Sequence, residues 1–108
     1  MITCSSSTVA GYQVTKTLGL ATGSTIRARH IGKDILAVFK NMIGGEIEEY
    51  SKMLGEAREQ ALDRMCAHAK KLGANAVVDV RFASSYVMGS ASEILAYGTA
   101  VTIEAETT

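Results

Sequence analysis

Proline is absent from this 108-residue chain, cysteine and histidine each occur only twice, and the eleven basic and eleven acidic residues cancel. Each scarcity excludes something. Without proline, and with no low-complexity tract or internal repeat, nothing marks a linker, so a single domain is expected. A net charge of zero removes the basic surplus with which nucleic-acid binders displace counterions from phosphate. Two isolated cysteines, Cys4 and Cys66, do not make a disulfide framework; the expectation is two reduced thiols, one near a loose terminus and one on a helix. Long apolar runs are also missing. The purest, Ile35 to Phe39, is far shorter than the roughly 20 residues of a membrane helix. Met1 to Gly11 is polar and Ser/Thr-rich, with neither the basic nor the apolar region of a secretory signal. A cytoplasmic protein without a membrane or nucleic-acid partner is expected.

What is present is a substantial core composition, 47% hydrophobic, enough for a folded domain. The clearest element runs from about Gly45 to Leu72. Ile47, Tyr50, Leu54, Ala57, Ala61, Met65, Ala69 and Leu72 recur at steps of three or four, one face of an α-helix. Lys70 and Lys71 lie at the negative end of its dipole, and Gly73 follows as a left-handed cap. A shorter helix is expected over Gly32 to Ile43, ahead of the pair Gly44-Gly45.

Strands flank these helices. Tyr12, Val14, Leu18 and Leu20 alternate with polar residues, with Lys16 interrupting. Thr22-Gly23-Ser24 reads as a turn into a short strand, Thr25 to Arg29. Ala76 to Tyr86 is β-rich, with Val78, Val80 and Phe82 on one side and Asp79 and Arg81 on the other. A loop at Met88 to Ser92 leads to a last strand, about Glu93 to Ala105. The third and fourth strands are close in sequence, which suggests an antiparallel hairpin, with the long helix covering the sheet. The fold class is therefore α+β: a two-layer antiparallel sheet packed with one long and one short helix. In the last strand Leu95, Tyr97, Thr99, Val101 and Ile103 face one way. Ile94, Ala96, Gly98 and Ala100 face the other. The small residues of that second face suggest close approach by another subunit, or by the second helix within the chain.

Candidate chemistry is sparse. Cys66 and His68 lie two apart on the helix, roughly 200° around its axis, so they cannot clasp one metal ion or act as a nucleophile–base pair. No Cys-x2-Cys, His-x3-His or His-Glu-x2-His spacing occurs. A soft-metal site would need ligands from several subunits, and a folded Cys66–His30 pair has no supporting pattern. Glu59 and Asp63, four apart, could raise one another's pKa as acid–base work requires, but the plain alternative is a solvated helix face. Thr22-Gly23-Ser24 lacks the pattern of a phosphate loop. Arg58, beside the apolar stripe, suits an interface anchor, with an anionic ligand as the alternative.

The block Tyr50-x3-Leu54-x2-Ala57-Arg58-x2-Ala61-x3-Met65-x3-Ala69-x2-Leu72-Gly73-Ala74-Asn75-Ala76-Val77-Val78 resembles the YbjQ-like family of small bacterial and archaeal proteins. Thr22-Gly23, Gly44-Gly45 and Gly98-Thr99-Ala100-Val101 agree with it, and the likeness spans about Val14 to Ile103. The resemblance implies a dodecin-like subunit in a ring, a pentamer or a stacked decamer. The family carries a heavy-metal-binding label, whose natural carrier is a cysteine in a Cys-Gly-x2-Thr-Gly segment. Here the run is Leu18-Gly19-Leu20-Ala21-Thr22-Gly23, with Leu18 in the place of that cysteine. Gly23, Gly44, Gly45, Tyr50, Arg58, Gly73 and Gly98 are marked as structural or interface positions. No catalytic residue and no cofactor is assigned. The expected role is a non-enzymatic ring-forming assembly or binding module. The alternative is a metal-binding or metal-buffering protein with ligands shared between subunits.

Overall fold

The computed structural model describes residues 1–28, 46–88 and 91–107. The chain order is β1 (Ile2–Thr3), β2 (Tyr12–Ala28), α1 (Glu46–Lys71), β3 (Ala76–Met88) and β4 (Ala91–Ala105). The strands form one sheet in the order β1-β3-β4-β2. β4 pairs antiparallel with both β2 and β3. β1 adds to β3 in parallel, Ile2 opposite Ala76, so the sheet is mixed rather than wholly antiparallel. The expected helix over Gly32–Ile43, with Gly44 and Gly45, lies outside the described residues. Two layers, α1 on the sheet, are as the sequence indicates.

α1 follows the 3.6-residue period closely. Ala57, Ala61, Met65 and Ala69, each four apart, are fully buried, with Leu54, Leu62 and Cys66 packed at their flanks. The helix ends where the sequence says it should. Gly73 adopts φ +92°, the Gly73 N–H donates to the Lys70 carbonyl, and the Ala74 N–H donates to the Ala69 carbonyl. These two bonds satisfy carbonyls that the helix cannot, and Ala74 joins Ala69 in the core.

The helix covers the face of small residues. Ala21, Ile94, Ala96 and Ala100 share one buried cluster with Ala57, Ala61, Met65 and Ala69. The small side chains of that face therefore admit the chain's own long helix, and the suggestion that another subunit lies there is corrected. Alanine set against alanine lets backbones approach until dispersion contacts form between main chains. The limit is reached at Gly23. A Cβ there would overlap the Met65 nitrogen and the Ala61 carbonyl oxygen and lie 2.7 Å from the Arg64 carbonyl carbon. Gly23 is thus not a turn residue. It sits mid-strand in a 17-residue β2, and the turn expected at Thr22-Gly23-Ser24 does not exist. The glycine is required by a helix backbone lying on top of it.

Bulges overturn the expected strand faces. A register shift between Thr17 and Gly19, with Gly19 at φ +119°, turns Leu18 toward the helix-side core. It leaves Leu20 62% exposed on the far side. A second shift lies between Val78 and Arg81, where Asp79 takes φ +54°. Two residues, Asp79 and Val80, then stand opposite Gly98 alone. Val78 joins a small cluster on the far face, whereas Val80 packs with the helix-side core. Crowding explains the glycine: a Cβ on Gly98 would meet Val77 Cγ1 at 2.7 Å and the Val78 carbonyl oxygen at 2.9 Å.

These two kinds of glycine separate by experiment. Gly23→Ala forces helix and sheet apart and should cost about 3 kcal/mol, the upper range for overpacking a core. Gly73→Ala meets open space and should cost about 1 kcal/mol, through backbone strain alone. Chemical denaturation of both variants checks the order; equal losses would mean that the contact at Gly23 is not limiting.

Candidate functional site

Two groups of polar residues emerge, one where α1 meets β2 and one on the far face of the sheet. At the first, α1 reaches across the outer edge of β2. The Thr22 N–H donates to His68 Nδ1 at 3.0 Å, and Arg64 Nη1 donates to the Ser24 carbonyl at 2.6 Å. His68 and Arg64 are four apart and share a helix face. Both partners belong to the strand backbone, one on each side of Gly23. Two outward-facing groups of an edge strand are thus filled by side chains. Cys66, between them in sequence but on another face, packs against the core. Burial pushes its thiol pKa upward, opposed by the charge of the N-terminal ammonium and reinforced by that of Asp63.

The second group is built by the N-terminus. Cys4 is not at a loose end: its N–H donates to the Val77 carbonyl, and its carbonyl accepts from the Val80 N–H. The Asp79 N–H donates to the Ser6 carbonyl, Ser7 Oγ donates to Asp79 Oδ1 at 2.9 Å, and Arg81 Nη1 donates to the Ser5 carbonyl at 2.8 Å. The serine-rich segment is therefore fastened around the β3 bulge. Val9 and Cys4 cover the cluster of Ala76, Val78, Val101 and Ile103. Asn75 extends the sheet with its side chain: Nδ2 donates to the Ile103 carbonyl at 2.9 Å, and Oδ1 accepts from the Ile103 N–H at 2.7 Å. Beyond this flap, among the described residues, Leu20 and Ile26 on the far face are 62% and 59% exposed.

The residues marked in the sequence fall into place unevenly. Gly23, Gly73 and Gly98 have the structural roles described above, and Tyr50 lies in the first turns of α1. Arg58 is exposed on α1 and lines a shallow hollow with Lys52, Glu59, Leu62 and Phe82. Glu59 and Asp63 are exposed, as expected of a solvated helix face. Among the described residues no three His, Cys, Asp or Glu side chains come together as metal ligands. The individual donors fit poorly as well. The Nδ1 lone pair of His68 is taken by the Thr22 N–H. Cys66 is held toward its neutral thiol, and a metal needs the thiolate. Cys4 Sγ donates to the Ser6 carbonyl at 3.4 Å. Leu18 is half-buried against the core. The described part of one chain does not supply a heavy-metal centre. The sequence reading missed Asp79 and Ser7, which are 72 residues apart. The available signal was a lone carboxylate inside the run Val77-Val78-Asp79-Val80.

His68→Ala removes the acceptor for a strand N–H and should cost about 1 kcal/mol in denaturation, as expected for one part-buried hydrogen bond. An unchanged stability would show that water replaces the imidazole at no cost. Cys66, whose pKa is raised in the folded state, keeps its proton where the unfolded chain loses it. Its contribution to stability is complete below the unfolded cysteine pKa, about 8.5, and fades as pH rises from there through the folded value. Iodoacetamide at mildly alkaline pH should therefore label Cys66 more slowly in the folded protein than in denaturant, as read by peptide mass spectrometry; equal rates would contradict the burial effect.

Comparison with known proteins agrees with the fold and extends the resemblance. Residues 1–104 match the YbjQ family model, described as "Putative heavy-metal-binding". A UPF0145 protein of Methanosarcina acetivorans is 59% identical, covering 95% of this chain and 97% of that protein. A UPF0145 protein of Dehalococcoides mccartyi is 58% identical over 96% of this chain and 100% of its own length. One of Pyrococcus abyssi is 53% identical over 98% and 93%. A crystal structure of a protein of unknown function from Pediococcus pentosaceus, of the DUF74 family, superposes with a TM-score of 0.63. It covers 96% of this chain and 98% of that one at 14% identity, a likeness of fold alone. None of these names carries an enzymatic activity. With the family match running through nearly every residue, the chain belongs to the YbjQ-like family of UPF0145 proteins.

Proposed function

We propose that the protein is a non-enzymatic, ring-forming homo-oligomer that acts as an assembly or binding module, a pentamer or a stacked pair of pentamers. The observation that carries this is shape. The radius of gyration is 17.7 Å, against about 13 Å for a compact domain of this length. Among the described residues, a chain that extended leaves apolar surface uncovered. Two such surfaces differ in kind. One is the open sheet face with Leu20 and Ile26. The other is the hollow beside α1, where Phe82 is 47% exposed next to Arg58 and Leu62. Unlike patches that meet give head-to-tail contacts, and these close into rings when the rotation permits. Arg58 suits the rim of such a contact.

The family description favours a second reading, a metal site completed by ligands from several subunits. Among the described residues no helix is long and apolar enough to cross a membrane. The two free cysteines agree with a reducing compartment such as the cytoplasm.

Sedimentation velocity on untagged protein should give one species several times the 11.4 kDa of the chain. Leu20→Glu should weaken assembly about tenfold or more while leaving the circular dichroism intact, because it buries a charge in an apolar contact. Arg58→Ala should weaken assembly to a lesser degree. A monomeric wild-type protein would sink the ring. Stoichiometric zinc or copper by elemental analysis would put the metal reading first.

A further inference from the structure

The grip of α1 on β2 has two ends of different chemistry. At one, the Arg64 guanidinium donates to the Ser24 carbonyl. A guanidinium stays charged in any folded protein, so this bond does not titrate. At the other, the Thr22 N–H donates to His68 Nδ1 at 3.0 Å. A backbone N–H only donates, so Nδ1 carries a lone pair and the ring is the neutral tautomer with its proton on Nε2. An imidazolium has N–H groups at both nitrogens and accepts at neither. Once the ring is charged, the same geometry sets donor against donor.

Among the described residues the surroundings supply no counter-charge. On α1 the neighbours of His68 one turn away are Arg64 and Lys71, both cations. Asp63 and Glu59 lie about 140° and 180° around the helix from it, and Lys70 about 200°. β2 has no ionisable residue between Lys16 and Arg27. On β4, Tyr97 pairs with Thr22; Glu93 and Glu104 stand about 13 Å and 23 Å along the strand from that pair, with Glu106 farther still. On β3, Asp79 and Arg81 are engaged by Ser7 and Ser5 of the flap. The Met1 ammonium acts on Cys66, which faces away from His68.

We propose that His68 is a pH-operated latch on the edge of the sheet, closed while its imidazole is neutral and opened by protonation. The opening is local. Met65 and Ala69 are fully buried, and the helix backbone rests on Gly23, so α1 stays in place. The half-buried imidazole turns toward solvent and the Thr22 N–H is freed. β2 pairs with β4 without irregularity from Gly19 to Ala28, so its outward backbone groups recur at Leu20, Thr22, Ser24 and Ile26. Releasing Thr22 while Arg64 still holds Ser24 clears the margin on the Leu20 side. Acid thereby makes half of this edge available to another strand, and neutral pH closes it. The latch is independent of the proposed ring, because both partners of the bond belong to one chain.

The test is NMR on the nitrogen-15-labelled full-length protein between about pH 8 and about pH 5, the interval in which imidazoles charge. At the upper end the ring-nitrogen shifts of His68 should place the proton on Nε2 and none on Nδ1. On acidification the Thr22 amide should lose about tenfold in protection against solvent exchange, relative to its intrinsic rate, as the loss of one hydrogen bond provides. The Ala74 amide, bonded to the Ala69 carbonyl, should keep its protection. His68→Gln retains a side-chain carbonyl that accepts and does not titrate, so Thr22 protection in this variant should be the same at both ends. His68→Ala should show the low value throughout. The opposite tautomer at the upper end, Thr22 protection indifferent to pH, or a fall that persists in His68→Gln would overturn the latch. An equal fall at Ala74 would overturn it as well, by showing a general loosening in acid.

Discussion

The structure turns on one contact, the helix backbone of α1 resting directly on the backbone of β2 at Gly23. Everything nearby serves that approach. The helix offers alanines at 57, 61 and 69, and the sheet offers Ala21, Ala96 and Ala100, so small side chains let the layers come close there. His68 and Arg64 grip the strand on either side of the glycine. The close approach fixes the height of the helix above the sheet, and with it which strand residues are buried. Met65 is the largest residue of this seam that is wholly enclosed, and Leu54 and Leu62 close its flanks.

The second organising device is the β3 bulge. A one-residue excess at Asp79 and Val80 moves Val78 to the far face and Val80 to the near face. Both sides of the sheet thereby receive a valine that strict alternation would have placed together. The left-handed turn of Asp79 is then stabilised from outside, by backbone and side-chain bonds from Ser6 and Ser7. The N-terminal strand is very short, but it delivers these residues to the bulge. The flap and the bulge are one construction.

The long helix was legible because its burial follows its period, and its end was legible because Gly73 is needed for its backbone conformation. The faces of β2 and β3 were not. Alternation placed Leu18 with Leu20 and Val78 with Val80, and in each case a bulge between the two residues reversed the second. Gly23 misled for a related reason: flanked by threonine and serine, it has the composition of a turn, while its cause is a helix more than thirty residues further along the chain. The small residues of β4 correctly announced a close neighbour, but spacing could not say whether that neighbour was this chain or another. β1 is too short to show any period, and the pairing of Ser7 with Asp79 joins distant parts of the sequence. What was readable was local; what was missed depended on where a bulge fell or on which surface covered which.

The grip of His68 and Arg64 on β2 has a consequence for how copies of this chain can come together. β2 is long, lacks proline and forms the margin of the sheet, features that in other proteins invite runaway strand addition into fibrils. Here the Thr22 N–H and the Ser24 carbonyl are already occupied, and the helix lies against the middle of that margin. A foreign strand that tried to zip along β2 would have to evict both side chains at its centre. Strand addition along the middle of β2 is thus opposed by the chain's own helix.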